Sequence, residues 1–356
     1  VAYRPAGLYA LRPSHPLLET TVMSSPRYHV YGVGNALVDI EVETSAQQLQ
    51  DLGVEKGLMT LVEPHRQQEL LTHLQGRQHR RSGGGSAANT ITALAHLGGK
   101  AYYSCRIADD ETGQFFTKDM EAAGVRTNAH TDKGTDLPTG TCLVMVTPDA
   151  DRTMNTSLGI SATLTPDQVV EDELAQSRLL YIEGYLVSTP TSLRTALHAR
   201  KLAQKHGVQT AFTFSDPAMV RYCKDGLEHV LGEGVDVLLC NEEEAMVFTD
   251  QPDVKAAGEV LVRRAGIVVI TCGSQGARIW DGERWLVIGA HPVSPVDTNG
   301  AGDLYAGAFL YALTHGHGCE AAGRLASLAS AILVTRFGAR LAAEDLAAVK
   351  RLILTV

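Results

Sequence analysis

The sequence predicts an α/β fold: a parallel sheet covered by helices on both faces, with a small second sheet folded over one end as a lid. Three observations carry this. Short apolar runs near 101–107, 178–183, 209–215, 235–240 and 266–271 alternate with helical segments near 111–123, 189–206 and 253–264. That is the pattern of parallel strands buried on both faces and joined by crossover helices. Two separated pairs of strand-like runs, 40–44 with 56–62 and 139–147 with 152–158, lie outside any strand–helix unit and suggest the lid. Finally, residues 297–303, Asp-Thr-Asn-Gly-Ala-Gly-Asp, form a glycine turn that opens at once into a helix with Leu304, Ala308 and Tyr311 on one face.

Composition bounds the partners. A chain of 356 residues is long enough for about two domains, or for one large α/β domain with an insertion. The net charge is −9 and no long basic run occurs, which argues against nucleic acid or an anionic membrane as partner. No apolar segment approaches the roughly 20 uninterrupted residues of a membrane span. Cysteines 105, 142, 223, 240, 272 and 319 are scattered without a C-x-x-C pair, the usage of reduced thiols in the cytoplasm rather than of disulfides or a zinc site.

Residues 1–27 hold four prolines, no sustained periodicity and no apolar core of a secretion signal, and read as a loosely attached arm. Val1 implies either a non-standard start codon or an initiator at Met23. Deleting residues 1–22 is expected to leave turnover intact; a steady-state assay of the truncated protein checks this.

Tyr28 to Gly34 reads as the first buried strand, ending in Gly-Val-Gly. A dinucleotide fingerprint needs a third glycine where Leu37 stands, so hydride chemistry on a nicotinamide is disfavoured. Asn35 and Asp39 follow the strand, where a carboxylate and an amide can hydrogen-bond a polyol. Ser82-Gly83-Gly84-Gly85-Ser86-Ala87-Ala88-Asn89 opens a helix but lacks the Gly-Lys-Ser/Thr ending of a Walker loop. Asn241-Glu242-Glu243-Glu244 starts a helix with acids that complement its dipole. Thr271-Cys272-Gly273-Ser274-Gln275-Gly276 is a strand-ending turn, and strands 277–280 and 284–288 follow, joined by Asp281-Gly282. Helices near 319–336 and 342–354 close the chain. At 297–303 the unpaired N–H groups of a helix N-terminus make an anion site at Gly300, Ala301 and Gly302. Asp303 sits in its first turn, either as a cap or as a base that takes a proton from an attacking hydroxyl.

The string at 297–303 resembles the Asp-Thr-x-Gly-Ala-Gly-Asp signature of the ribokinase-like carbohydrate kinases, the PfkB family, and the resemblance runs from about residue 28 to 356. It implies a ribokinase-like three-layer α/β/α sandwich with a β lid. Residues 28–38, 64–125 and 159–356 then form the large domain, and 39–63 and 126–158 the lid. It implies an ATP-dependent kinase acting on a primary hydroxyl, with Asp303 as base and Gly300, Ala301 and Gly302 as anion hole. By the same resemblance Asn35, Asp39, Gly84, Gly85 and Asn89 bind the acceptor. Asn241, Thr271, Gly273 and Gly276 belong to the nucleotide site, and Glu244 to magnesium. Arg152 matches a lid arginine that swings in on closure; read without the resemblance it is a solvated turn arginine. Phe337-Gly338-Ala339 resembles a segment near the adenine and a monovalent-cation (K+) site. Gly-Asn-Ala-Leu-Val-Asp at 34–39 and Arg-Thr-Met-Asn-Thr at 152–156 lean towards an adenosine kinase; a fructokinase or ribokinase type is the alternative, and a sugar- or nucleotide-sensing protein of the same fold is the non-enzyme reading. Leu58, Met59, Leu61, Leu143 and Met145 are the residues available for a nucleobase shelf. Either a monomer or a homodimer is compatible with an exposed lid sheet.

Overall fold

The structure is a computed structural model that describes residues 26–354, apart from 58, 75, 77–78, 130, 133–135 and 150. Most of the expected arm, and Leu58, lie outside the described residues. In chain order the strands are β1 (Tyr28–Val33), β2 (Leu37–Glu43), β3 (Met59–Leu61), β4 (His79–Gly84), β5 (Ala101–Ser104), β6 (Ile107–Ala108), β7 (Arg126–Thr127), β8 (Thr131–Asp132), β9 (Gly140–Val146), β10 (Arg152–Ser157), β11 (Ser177–Glu183), β12 (Gln209–Thr213), β13 (Val235–Asn241), β14 (Ala265–Thr271), β15 (Ala277–Trp280) and β16 (Trp285–Ile288).

The large sheet has nine strands in the order β16-β15-β14-β13-β12-β11-β1-β5-β7. It is parallel from β14 to β7, and the β15–β16 hairpin adds an antiparallel edge. Successive residues of its strands face opposite layers, as strand geometry demands. Val30, Leu179, Tyr181, Leu239 and Val269 pack against helices Ser86–His96, Ala301–Thr314 and Cys319–Leu333. Their neighbours Tyr31, Leu180, Ile182, Leu238 and Val268 pack against helices Pro190–His206, Lys224–Leu231 and Val254–Leu261. Both faces are covered, which is why these strands read as unbroken apolar runs.

The small sheet has five strands, β3-β10-β9-β2-β4. β1 and β2 are separated only by residues 34–36, so the chain passes from the large sheet into the lid at Gly34-Asn35-Ala36. Two boundaries differ from expectation. β4 pairs antiparallel with β2 and belongs to the lid, not the large domain. Helix Pro64–His73 goes with it, since Leu70 packs in a lid core of Ile40, Val42, Leu49, Leu74, Leu143 and Met145. Conversely, β7 leaves the lid segment and pairs with β5 in the large sheet. The sequence of β4, His-Arg-Arg-Ser-Gly-Gly, has no apolar alternation and so gives no strand signal.

Candidate active site

A cavity of about 590 Å³ lies where the C-terminal ends of β11, β13 and β14 meet the lid and the start of helix Ala301–Thr314. The sequence builds that helix start around one backbone feature. Gly300 adopts φ 72°, and a Cβ there would come within 2.5 Å of the Ala339 carbonyl oxygen, so the turn requires glycine on both counts. Of the three amides expected to form the anion hole, Ala301 N–H is engaged, donating to the Thr298 carbonyl at 3.3 Å. The amides of Gly300 and Gly302 have no acceptor among the described residues, and both residues line the cavity.

Asp303 lies on the cavity wall one residue further on. Its Oδ1 accepts from Ser86 Oγ at 2.7 Å and its Oδ2 from Asn89 Nδ2 at 3.0 Å. Burial raises its pKa, while those two donors and the Arg340 guanidinium oppose the rise. The side chain therefore caps nothing: it is held by the helix Ser86–His96 and faces the cleft. Asn89 was expected to meet the acceptor directly. It lines the cavity, and its amide is also held inside the protein, Nδ2 donating to Asp303 and Oδ1 accepting from Arg340 Nε at 2.8 Å.

On the lid side, Asp39 lies in β2 and is 6% exposed. No donor hydrogen-bonds its carboxylate among the described residues, and burial pushes its pKa up to about 7, against the pull of Arg340. The carboxylate lies over Gly84, which does not itself line the cavity; Gly85 does. Gly85 takes φ 94° and begins helix Ser86–His96. Asn35 is fixed from beneath: its backbone N–H and Nδ2 both donate to Glu183 Oε1, at 2.7 and 2.9 Å. Glu183 Oε2 accepts from Ala87 N–H at 2.8 Å, so one wholly buried carboxylate ties the lid crossing to a helix start. Burial raises its pKa to about 7.

Arg152, at the start of β10, is 8% exposed and lines the cavity, so it is not a solvated turn residue. Its Nη2 donates to Asp297 Oδ2, while Nε and Nη1 are buried with no acceptor among the described residues. Asp297, the first residue of the seven-residue string, also accepts from Asn299 N–H at 2.9 Å and Gly338 N–H at 2.6 Å. The segment expected near a monovalent cation thus spends Gly338 on Asp297, whose carboxylate already holds a guanidinium.

At the other end, Asn241 and Glu244 form a reciprocal cap on helix Glu242–Thr249. Glu244 accepts from Asn241 N–H at 3.0 Å and Nδ2 at 2.8 Å, and burial raises its pKa to about 8. No group of three or more His, Cys, Asp or Glu able to hold a metal occurs among the described residues. Magnesium keeps several waters and is bound by one or two carboxylates plus phosphates; a single carboxylate on the cavity wall whose oxygens are already shared fits contact through water. Thr271 lines the cavity, but Gly273 and Gly276 lie in the turn beyond it and not on its wall.

Towards the lid the apolar lining consists of Leu37, Met59, Leu61, Met154 and Leu158, and Leu239 and Val269 add apolar surface from the large sheet. Leu143 and Met145 are not part of it. They are fully buried on the opposite face of the lid sheet, while Cys142, one residue out of phase, reaches the cavity.

This arrangement has relatives. The family description "pfkB family carbohydrate kinase" matches residues 58–346. The chain belongs to that family. A pfkB-family kinase is a phosphotransferase acting on hydroxyl groups, and its ribokinase-like fold is shared with solved structures. An adenosine kinase from Sinorhizobium meliloti is 34% identical, with a TM-score of 0.85 over 92% of this chain and 99% of that one. A probable sugar kinase protein from Rhizobium etli CFN 42 is 32% identical, with a TM-score of 0.86 over 93% and 100%. Among curated proteins, ribokinase of Bacillus subtilis (strain 168) is 28% identical over 72% of this chain and 83% of its own length. No helix among the described residues of this pfkB-family chain is long and apolar enough to cross a membrane. Its six cysteines are all free.

Sequence reasoning missed three residues of the site. Asp297 had a signal, its fixed place at the head of the string. Glu183 had a weak one, an acid closing an apolar strand. Arg340 had none.

Proposed function

We propose that this pfkB-family kinase transfers the γ-phosphoryl group of ATP to the 5′-hydroxyl of a nucleoside, adenosine, with Asp303 as the base. One observation carries the reading: a single cavity joins Asp303 and the open amides of Gly300 and Gly302 to an unpaired carboxylate, Asp39, and to an apolar wall of Leu37, Met59, Leu61, Met154 and Leu158. A carboxylate without a protein donor suits a vicinal diol, and an apolar shelf beside it suits a base attached to that sugar.

In the reaction the acceptor oxygen forms a bond to the γ-phosphorus, the bond to the ADP oxygen breaks, and the hydroxyl proton passes to Asp303. The amides of Gly300 and Gly302 and the Arg152 guanidinium, whose Nε and Nη1 have no hydrogen-bond acceptor among the described residues, stabilise charge on the moving phosphoryl group. Glu244 would hold the waters of a bound magnesium ion, which would supply positive charge at the nucleotide phosphates. Asn241 and Thr271 line the nucleotide end. Closure of the lid sheet excludes water from the transfer.

A panel of adenosine, inosine, guanosine, fructose and ribose, read as ADP released, tests this. Adenosine is expected to give the highest kcat/KM. The likeness to ribokinase and to a probable sugar kinase favours a second reading, and a clear preference for fructose or ribose would replace the first with it.

A further inference from the structure

Asp303 is not held by Asn89 alone. The Asn89 amide has one acceptor and one donor end, and nothing in its own rotamer decides which of them meets Asp303. Two partners fix it together: the Asp303 carboxylate on one side and, on the other, Arg340, in the segment between helices Cys319–Leu333 and Ala343–Leu354. A guanidinium offers only donors. Arg340 Nε faces Asn89 Oδ1 at 2.8 Å, so the NH2 end must face Asp303 Oδ2, which it does at 3.0 Å. Arg340 is in turn pinned by its Nη1 on Asp119 of helix Glu111–Ala122. The lid strand β4 runs tightly over this pair: a Cβ on Gly83 would strike both Asp119 Oδ2 and Arg340 Nη1. The side chain of Arg340 is only 14% exposed, and it does not line the cavity, so it is not a substrate contact.

We propose that Arg340 is a positioning residue for Asp303: through Asn89, it holds an N–H donor on the carboxylate and so keeps that group ionised and aimed at the acceptor hydroxyl. This rests on the reading of Asp303 as the base. Without the guanidinium, the Asn89 amide loses the partner that locks its orientation and Asp303 loses a nearby positive charge, and both changes favour the protonated carboxyl. The groups around Asp303 push the same way. Asp39 of β2, Glu183 and Tyr181 of β11, Tyr185 just beyond it, and Glu244 of helix Glu242–Thr249 all interact with Asp303, and none brings positive charge; Arg340 does.

The test is a pH–rate profile of Arg340→Met, which keeps the length of the stem and removes every donor. The acid limb of kcat is expected to move up by about one pH unit, so that kcat falls by up to about tenfold on that limb, with KM for ATP unchanged. In an Asn89→Ala background the same substitution is expected to move the acid limb clearly less, because the part of its effect that travels through Asn89 is already gone. An acid limb that stays in place, or an undiminished effect in the Asn89→Ala background, overturns the proposal. Should Arg340→Met yield no folded protein, Arg340→Lys carries the comparison, since it keeps the charge but cannot bridge Asn89 and Asp119 together; an unshifted acid limb there counts equally against it. Asp303→Asn, run alongside, separates the two ideas: if it keeps turnover, the base assignment fails, whereas an inactive Asp303→Asn with a normal Arg340→Met profile removes only the role of Arg340.

Discussion

Asp303→Asn is expected to lower kcat by a factor on the order of 100 or more while nucleotide affinity and thermal midpoint stay close to those of the parent. The substitution is nearly isosteric, and the surroundings accept it. Ser86 Oγ, now a donor to Oδ1 at 2.7 Å, can rotate to accept from an amide NH2, and the Asn89 Nδ2 group can still donate to the remaining oxygen. The open amides of Gly300 and Gly302 belong to the backbone and are untouched, so a phosphate still finds its donors. What disappears is the carboxylate that the proposed mechanism uses as proton acceptor, one residue beyond Gly302 on the cavity wall. Initial-rate kinetics together with calorimetric titration of the nucleotide separate the two quantities. A variant that turns over at near-normal rate would remove Asp303 from the chemistry and return it to a structural acid at a helix start.

The elements that position Asp303 were legible from the sequence to very different degrees, and the difference is physical. The strands of the large sheet are buried on both faces, so β11, β13 and β14 appear as apolar runs that need no partner to be recognised. The turn at 297–303 is legible because its function depends on backbone, and backbone conformation leaves glycines at fixed spacing. The lid is less so. In β9 the face of a residue follows from a period of two, and reading Leu143 and Met145 towards the cavity is an error of a single position that inverts the whole strand. The partners of the functional side chains were not legible at all. Arg340 meets Asn89 across 251 residues of chain, and Arg152 meets Asp297 across 145. No local pattern encodes a contact of that separation, and a lone arginine in a loop carries no periodicity. The result is a site whose proposed base was visible in a seven-residue string, while the residues that contact it from distant parts of the chain appeared only once the chain was folded.

Asp39→Asn brings function and stability into opposition at one position. A diol bound by the Asp39 carboxylate makes hydrogen bonds to a charged acceptor, each contributing about 1.5–3 kcal/mol. Losing the charge from two of them is expected to raise the acceptor KM about 100-fold, at roughly 1.4 kcal/mol per factor of ten. Without substrate the same carboxylate is a liability, because it is buried and has no donor among the described residues. Its pKa is raised from the ordinary 3.8 to about 7. The folded state therefore holds this proton where the unfolded chain has released it. The group costs nothing below the unfolded value, and its penalty grows as pH climbs towards the folded one. The ligand-free Asp39→Asn protein is expected to match the parent near pH 4 and to exceed it in thermal midpoint by a margin that widens up to about pH 7 and then levels off. Glu183 and Glu244 are raised in the same direction but are present in both proteins, so their contribution cancels in the difference. Thermal melts of both proteins across that range, with and without the acceptor, measure it. A margin that does not depend on pH would mean that Asp39 is already neutralised by a partner in the free enzyme, and would remove it as the group reserved for the sugar hydroxyls.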